Sequence, residues 1–488
     1  MSGKYRAWME RIHATWAEWT ECRTGRPALF FLVTILAVVS LKAAFLYFDA
    51  VPRFLIGDSA VYIKSAFLID RPADRSWAYG LVIIRPVLWL FGSLQSLVYF
   101  QAAVSALTAV ALAAVLGCVF HVRPWVAGLM AVLYAMEPIG LQYERFVMTE
   151  NPATFVLVLY FAAALLCLRN ARPSCMVVVS LLSAGLVALR VSFLPTVVVL
   201  CLVLPMLVPI KRQDAPFSRN PAARLLLLAL SAGSLALCHY GYLRVSEKVT
   251  GSRKYNIADG FFLLAAWSPL VQKDDFGNDV RAAAVLEDTT VYPRSRRNRA
   301  GQLFGEDGLI AGLLKVYPAE ITANRTAHNA ALHIAWRTPL GIAGLAAQSY
   351  ADYWDDAYLD DRIAVEIGKK EIDAELIDLF ARRYGEDITG HHLLSTVTTR
   401  YLSGSKAWIR LLLLSPALVM LAFVLDRYHR RETFVLALFL AGITFSFVAL
   451  ATEPVPRYLH SVAWLTLVLY GILLNSVLKL ASRVALKR

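Results

Sequence analysis

Charged residues fill only 17% of the 488 positions, against about 25% in soluble domains. That shortage excludes a disordered, solvated chain and an ordinary cytosolic enzyme. Cysteine is scarce too: Cys22, Cys118, Cys167, Cys175, Cys201 and Cys238 are the six. None falls in the long polar stretches, so no disulfide framework is expected there, and the six are read as helix-packing residues. The sequence contains no P-loop, no dinucleotide fingerprint, no His-Glu-x-x-His zinc motif, no internal repeat and no low-complexity segment. Asp275-Phe276-Gly277 matches a kinase tripeptide by chance, since the glycine-rich loop, strand lysine and catalytic loop are missing.

What is present is apolar. Residues of the set AVILMFWYC make up 58%, and runs long enough for a bilayer helix of about 20 residues recur. They cover roughly Leu29–Phe48, Leu94–Val119, Trp125–Leu141, Ala153–Leu168, Leu225–Leu243, Trp408–Leu425, Phe434–Leu450 and Leu459–Leu480. A longer run, Met176–Pro209, is interrupted by Arg190 and Pro195 and reads as two short spans or a hairpin. The expectation is an all-α polytopic membrane protein with about ten transmembrane helices.

Short-loop cations set its orientation. Arg23/Arg26, Arg123, Arg169/Arg172, Lys211/Arg212/Arg219/Arg224, Arg427/Arg430/Arg431 and Arg483/Lys487/Arg488 alternate correctly if both termini are cytoplasmic. The chain is then a multi-pass inner-membrane protein, and Asp49–Gly92, Gln142–Glu150, Arg244–Lys406 and Ala451–Tyr458 face outward. The net charge of +13 becomes a topology signal that implies no nucleic-acid partner. Four regions follow: residues 1–27 as a cytoplasmic interfacial helix, 28–243 as an N-terminal bundle, 244–406 as a mainly helical extracytoplasmic domain, and 407–488 as C-terminal helices and tail. Tyr5, Trp8, Ile12, Trp16 and Trp19 recur at helical spacing among basic residues, as on an inner-leaflet helix. The N-terminal apolar run is too long for a cleavable signal. Pro339–Tyr350 is read as an interfacial helix, because a crossing would turn Arg427–Arg431 outward. Ile363, Ile367, Ile372, Leu376 and Phe380 mark an amphipathic helix. The basic run Arg294–Arg299 reads as a solvated loop or an anion contact, and Asp352/Asp355/Asp356 as surface acids or metal contacts.

Functional candidates gather at the outer helix mouths. Asp58 follows Gly57 in the first outer loop, where it serves as a helix cap or as a reactive acid. Glu150 opens a helix, as a carboxylate favoured by the macrodipole or as a second acid. Arg85 precedes Pro86 at the end of the first loop, Arg457 stands before the last span, and Arg190 interrupts an apolar run, where an unpaired charge is costly. Tyr62, Tyr79, Glu144 and Tyr458 fall in the same segments as candidate substrate contacts. Lys42 and Glu137 are read as snorkelling or paired. A carboxylate can take a proton from an incoming hydroxyl, and arginines can hold a departing phosphate.

Asp58 after a long first span, Glu150 in the next outer loop, Arg85-Pro86 and a late Arg457-Tyr458 together resemble the GT-C superfamily of integral-membrane glycosyltransferases. This group includes the aminoarabinose, O-mannosyl and arabinofuranosyl transferases. The resemblance covers the first half through Leu168 best, with the last span added. It implies a GT-C-like bundle, a polyprenyl-phosphate-linked sugar donor, an envelope glycan, lipid or protein as acceptor, and an inverting single displacement. It implies Asp58 as catalytic base with Glu150, or else Glu144, in support, and Arg85 and Arg457 on the donor phosphate; Arg190 joins them as a candidate through its charge inside an apolar run. Many members carry two adjacent acids where this chain has a lone Asp58, so no cofactor is firmly implied and a divalent metal stays open. Competing readings are a glycan ligase using a lipid pyrophosphate, with His391 or His392 as base, and a lipid or solute transporter.

Overall fold

The computed structural model describes residues 26–55, 57–69, 75–170, 173–208, 221–288, 294–367, 372–391 and 396–485. The N-terminal aromatic stripe lies outside them. Among the described residues all regular structure is helical, apart from one isolated bridge between Arg53 and Phe146.

Among the described residues six helices are long and apolar enough to cross a membrane: Ala28–Phe48, Leu94–Cys118, Glu150–Arg169, Arg224–Thr250, Arg430–Ala449 and Arg457–Ser482. The pair Lys406–Leu413 and Ser415–Leu425, bent by 48°, makes a seventh if taken as one span. Burial sorts them. Arg457–Ser482 is 72% buried and forms the axis, while Ala28–Phe48 and Arg224–Thr250 are 17% buried and turn apolar faces outward. Such apolar outer faces are what lipid contact requires.

The expected ten spans are not reached by length. Trp125–Leu141 is not one helix but two, Pro124–Ala135 and Pro138–Tyr143. Pro138 keeps Glu137 extended (φ −60°, ψ 119°), and the Glu137 carboxylate then accepts the Ile139 N–H at 3.1 Å and that of Gly140. Met176–Pro209 divides as expected, into Pro173–Leu189 and Leu194–Leu207, with Arg190 extended between them. Pro416, in the first turn of Ser415–Leu425, lies beside the 48° bend.

The described residues between 251 and 405 form a cap of helices. The region expected as one domain packs in two parts. Ala258 to Leu345 enclose their own apolar core, whereas Tyr353, Leu359, Ile363, Leu376, Phe380 and Leu402 join the core of the bundle. The amphipathic stretch Ile363–Phe380 is two helices, Asp356–Ile367 and Ala374–Tyr384. Pro339–Tyr350 is helical within the 14-residue Pro339–Asp352. The basic run is paired within the cap: Arg296 and Arg297 bind Asp352, Arg297 also binds Asp355, and buried Arg299 donates to Ser349 Oγ at 2.9 Å. Cap and bundle are pinned where Glu386 accepts the Leu94 N–H at 3.0 Å and where Trp267 Nε1 donates to the Ala449 carbonyl at 2.7 Å.

Gly80 decides how the first loop closes. A π-helical turn, Tyr79–Ile84, runs into the helix Arg85–Phe91, and Gly80 presses on Asp58–Phe67. A Cβ at Gly80 would meet Tyr62 O at 2.7 Å and Ala66 N at 2.9 Å. This contact buries Tyr79, Ile84, Val87 and Leu88, and helical periodicity turns Val82, Arg85, Pro86, Trp89 and Leu90 outward. Gly80→Ala is expected to cost roughly 1–3 kcal/mol by overpacking, while Arg85→Ala costs almost nothing. Thermal unfolding of the two variants in detergent checks this; equal midpoints would refute it.

Candidate functional site

The site is assembled from five separate stretches. The loop after the first span is fixed by Asp49, Arg53 and two cap threonines. Arg53 binds the Asp49 carboxylate at 2.6 Å and donates to Thr396 Oγ1 at 2.6 Å and Thr398 Oγ1 at 3.1 Å. The bridge at Arg53 ties this loop to the second one through Arg53 N–H to Arg145 O at 2.7 Å and Val147 N–H to Arg53 O at 3.1 Å. Gly57, at φ 72°, then supplies a left-handed turn that few other residues adopt. Asp58 follows as the first residue of its helix, 9% exposed.

Around Asp58 the structure gathers most of the sequence candidates. Arg457 Nη1 meets Asp58 Oδ2 at 2.9 Å, and Arg190 Nη1 meets Glu150 Oε1 at 3.1 Å. Both guanidiniums lie over the Tyr458 ring, 5.3 Å away for Arg457 and 5.2 Å for Arg190. Tyr62, one helical turn after Asp58, packs edge to face on Tyr79 with centroids 5.1 Å apart. Asp58, Glu150, Arg190, Arg457, Tyr62, Tyr79 and Tyr458 therefore share one neighbourhood at one end of the bundle.

Two candidates do not join it. Arg85 is exposed on the outward face of its helix, away from the Asp58 cluster, because the Gly80 contact sets that rotation. Glu144 is fully buried in a separate triad, bound to Lys42 and to Arg145 Nη1 at 2.6 Å. Glu137, the other paired carboxylate, accepts from Trp408 Nε1 at 3.1 Å and contacts His460 Nδ1 at 2.9 Å. His391 is half-buried in the cap, and His392 lies outside the described residues.

Three participants were missed. Arg75 holds Asp58 Oδ1 from the first loop, with its Nε at 3.2 Å. Nothing in its spacing from Asp58 signals that pairing. Glu366 comes from the cap, 4% exposed, and its Oε1 accepts the Arg457 backbone N–H at 3.3 Å. A signal existed here, since Glu366 lies three residues after Ile363 and one before Ile367, within the apolar stripe. Tyr143 is fully buried with its hydroxyl facing Glu366.

Burial pushes the Asp58 carboxyl up, but Arg75 and Arg457 together outweigh it and hold the group below the ordinary carboxylate range. Glu366 goes the other way. Burial raises it and Arg457 offsets only part of the effect, leaving the group at about 7.

Several polar atoms here are buried without hydrogen-bond partners: Arg457 Nε, Glu150 Oε2 and Glu366 Oε2. Buried polar groups are nearly always satisfied. A polar ligand offering both donors and acceptors would satisfy such a set. Among the described residues no group of three or more His, Cys, Asp or Glu side chains is arranged to hold a metal ion. A separate cavity of about 300 Å³ lies in the cap, lined by Lys254, Asn324, Arg325 and His328 among others, and none of the cluster residues lines it.

No protein-family model matches the chain, and no curated protein matches it.

Glu366 ties stability to pH. Its folded value of about 7 exceeds the ordinary 4.5, so the native state keeps a proton that the unfolded chain releases. Stability therefore falls as pH rises from about 4.5 to 7 and levels off above, a loss of roughly 3 kcal/mol. Glu366→Gln is expected to be more stable than the parent at about pH 8 and nearly equal to it below about pH 5. Thermal midpoints across that range test the sign.

Proposed function

We propose that the protein is a membrane glycosyltransferase of the GT-C kind, moving a sugar from a polyprenyl-phosphate donor to an acceptor hydroxyl at the extracytoplasmic face. The observation that carries this reading is a carboxylate, Asp58, held between two guanidiniums, with unfilled donors and acceptors beside it. A glycosyl phosphodiester offers matching chemistry: anionic oxygens for the arginines and hydroxyls for the carboxyls. A transporter reading would favour polar groups at mid-membrane, whereas these cluster where helices end. In this reading both termini are cytoplasmic, the shorter apolar helices complete a bundle of about ten spans, and the envelope supplies the acceptor.

In the ligand-free site Asp58 is a weak base, because Arg75 and Arg457 stabilise its charge. A donor phosphate competes for those guanidiniums. Once they turn to the phosphate, Asp58 loses its stabilising charges and gains basicity, so base activation is linked to donor capture. The acceptor oxygen then forms a bond to the anomeric carbon as its proton passes to Asp58. The bond from that carbon to the phosphate oxygen breaks, with its electron pair leaving on the polyprenyl phosphate. Arg457, Arg75 and Arg190 face the added negative charge, each well-placed donor contributing roughly 3–4 kcal/mol by comparison with oxyanion sites. Glu150 holds Arg190 in position.

Asp58→Asn keeps the shape and removes the proton acceptor. With the full-length protein in nanodiscs containing envelope extract, it is expected to abolish sugar transfer from undecaprenyl-phosphoryl donors while still binding undecaprenyl phosphate. Arg457→Ala should weaken that binding at least tenfold, given roughly 3 kcal/mol per donor, and Arg85→Ala should not change it. Normal transfer by Asp58→Asn removes Asp58 as the base, and a parent protein that fails to bind undecaprenyl phosphate removes the whole reading.

A further inference from the structure

The carboxyls of this site are unequally engaged. Asp58 places one oxygen on Arg75 and the other on Arg457. Glu366 spends Oε1 on the Arg457 N–H, at 3.3 Å, and its Oε2 accepts nothing although the residue is only 4% exposed. Glu150 turns Oε1 to Arg190 and leaves Oε2 unfilled. The buried Tyr143 hydroxyl faces Glu366.

A phosphodiester group satisfies the arginines and cannot satisfy these oxygens, because it carries acceptors only. Carboxylate oxygens need donors, and an unfilled buried acceptor keeps its full desolvation cost. Two carboxyl oxygens and a phenol set near one another suit the neighbouring hydroxyls of a sugar, each of which donates and accepts. Glu366 also has a distinct origin. It comes from the cap helix Asp356–Ile367, whereas Asp58 and Arg457 come from the bundle side.

We propose that Glu366, with Tyr143 and Glu150, binds the hydroxyls of the transferred sugar, so that the cap, through Glu366, selects which sugar the site accepts. The assignment rests on the glycosyl-phosphate reading above and extends it from the phosphate to the sugar. The charged groups facing Glu366 are Arg457 and Glu150, with the Tyr143 hydroxyl beside them. An ionised carboxylate accepts stronger hydrogen bonds than a neutral carboxyl, so the contribution of the sugar to binding grows as pH rises through neutrality.

The test compares two lipids on the full-length protein in nanodiscs. One is undecaprenyl phosphate; the other is the tightest-binding of undecaprenyl-phosphoryl mannose, glucose and arabinose. In the parent the glycosylated lipid is expected to bind at least tenfold more tightly at pH 8, with a smaller advantage at pH 6. Glu366→Gln should erase most of that advantage and flatten its pH dependence. If this variant does not assemble, Tyr143→Phe, which removes only the hydroxyl facing Glu366, should reduce the advantage several-fold. Equal affinity of the parent for both lipids overturns the proposal, as does a variant that loses both affinities in proportion. Failure of the parent to bind either lipid overturns the phosphate reading itself, and the two failures are distinguishable.

Discussion

Arg457 is the residue on which the site depends. It opens the most buried long helix, its guanidinium reaches Asp58, and its backbone N–H reaches Glu366. A helix start leaves N–H groups without intrahelical partners, and here one is met by a carboxyl from another part of the chain. First loop, last span and cap therefore converge on a single residue. Movement of any one of them changes the surroundings of the other two.

Charge is scarce within the apolar spans and concentrated at this end of them. The Asp58 cluster sets the carboxyls of Asp58, Glu150 and Glu366 among Arg75, Arg190 and Arg457. Neighbouring buried groups follow the same rule, with Lys42 and Arg145 on Glu144, and Arg53 on Asp49. Buried ion pairs contribute little net stability, since desolvation consumes most of the attraction, yet breaking one is expensive. Their effect is geometric. The Asp49–Arg53 pair and its threonines hold the first loop against the cap, and the bridge to Phe146 holds that loop against the second.

Residue chemistry made much of this legible in the sequence. Asp58, Glu150, Arg190 and Arg457 stood out because each is a charge at the edge of an apolar run, where burial demands a reason. Arg75 could not be found that way, since it lies in a polar stretch and its partner is chosen by tertiary closure. Arg85 looked equivalent to Arg457 in one dimension, and only the rotation imposed by Gly80 separates them. Glu366 was visible as a charge within an apolar stripe, but the stripe was credited to packing alone. Helical class and the long apolar runs were readable from hydropathy. The breaks at Glu137-Pro138 and near Pro416 were not, because hydropathy is blind to a missing N–H.

The last helix, Arg457–Ala485, has 29 residues, about 43 Å at 1.5 Å per residue. The hydrocarbon layer is about 30 Å thick. One helix thus works as a ruler: with its apolar middle in the hydrocarbon, its first turn stands above the oily layer, among the headgroups. In the proposed reading, the length of that rod would carry Arg457 to the depth of a lipid phosphate. A one-turn deletion within that helix would lower the guanidinium by roughly 5 Å, leaving every site residue in place in the sequence and the site itself at the wrong altitude.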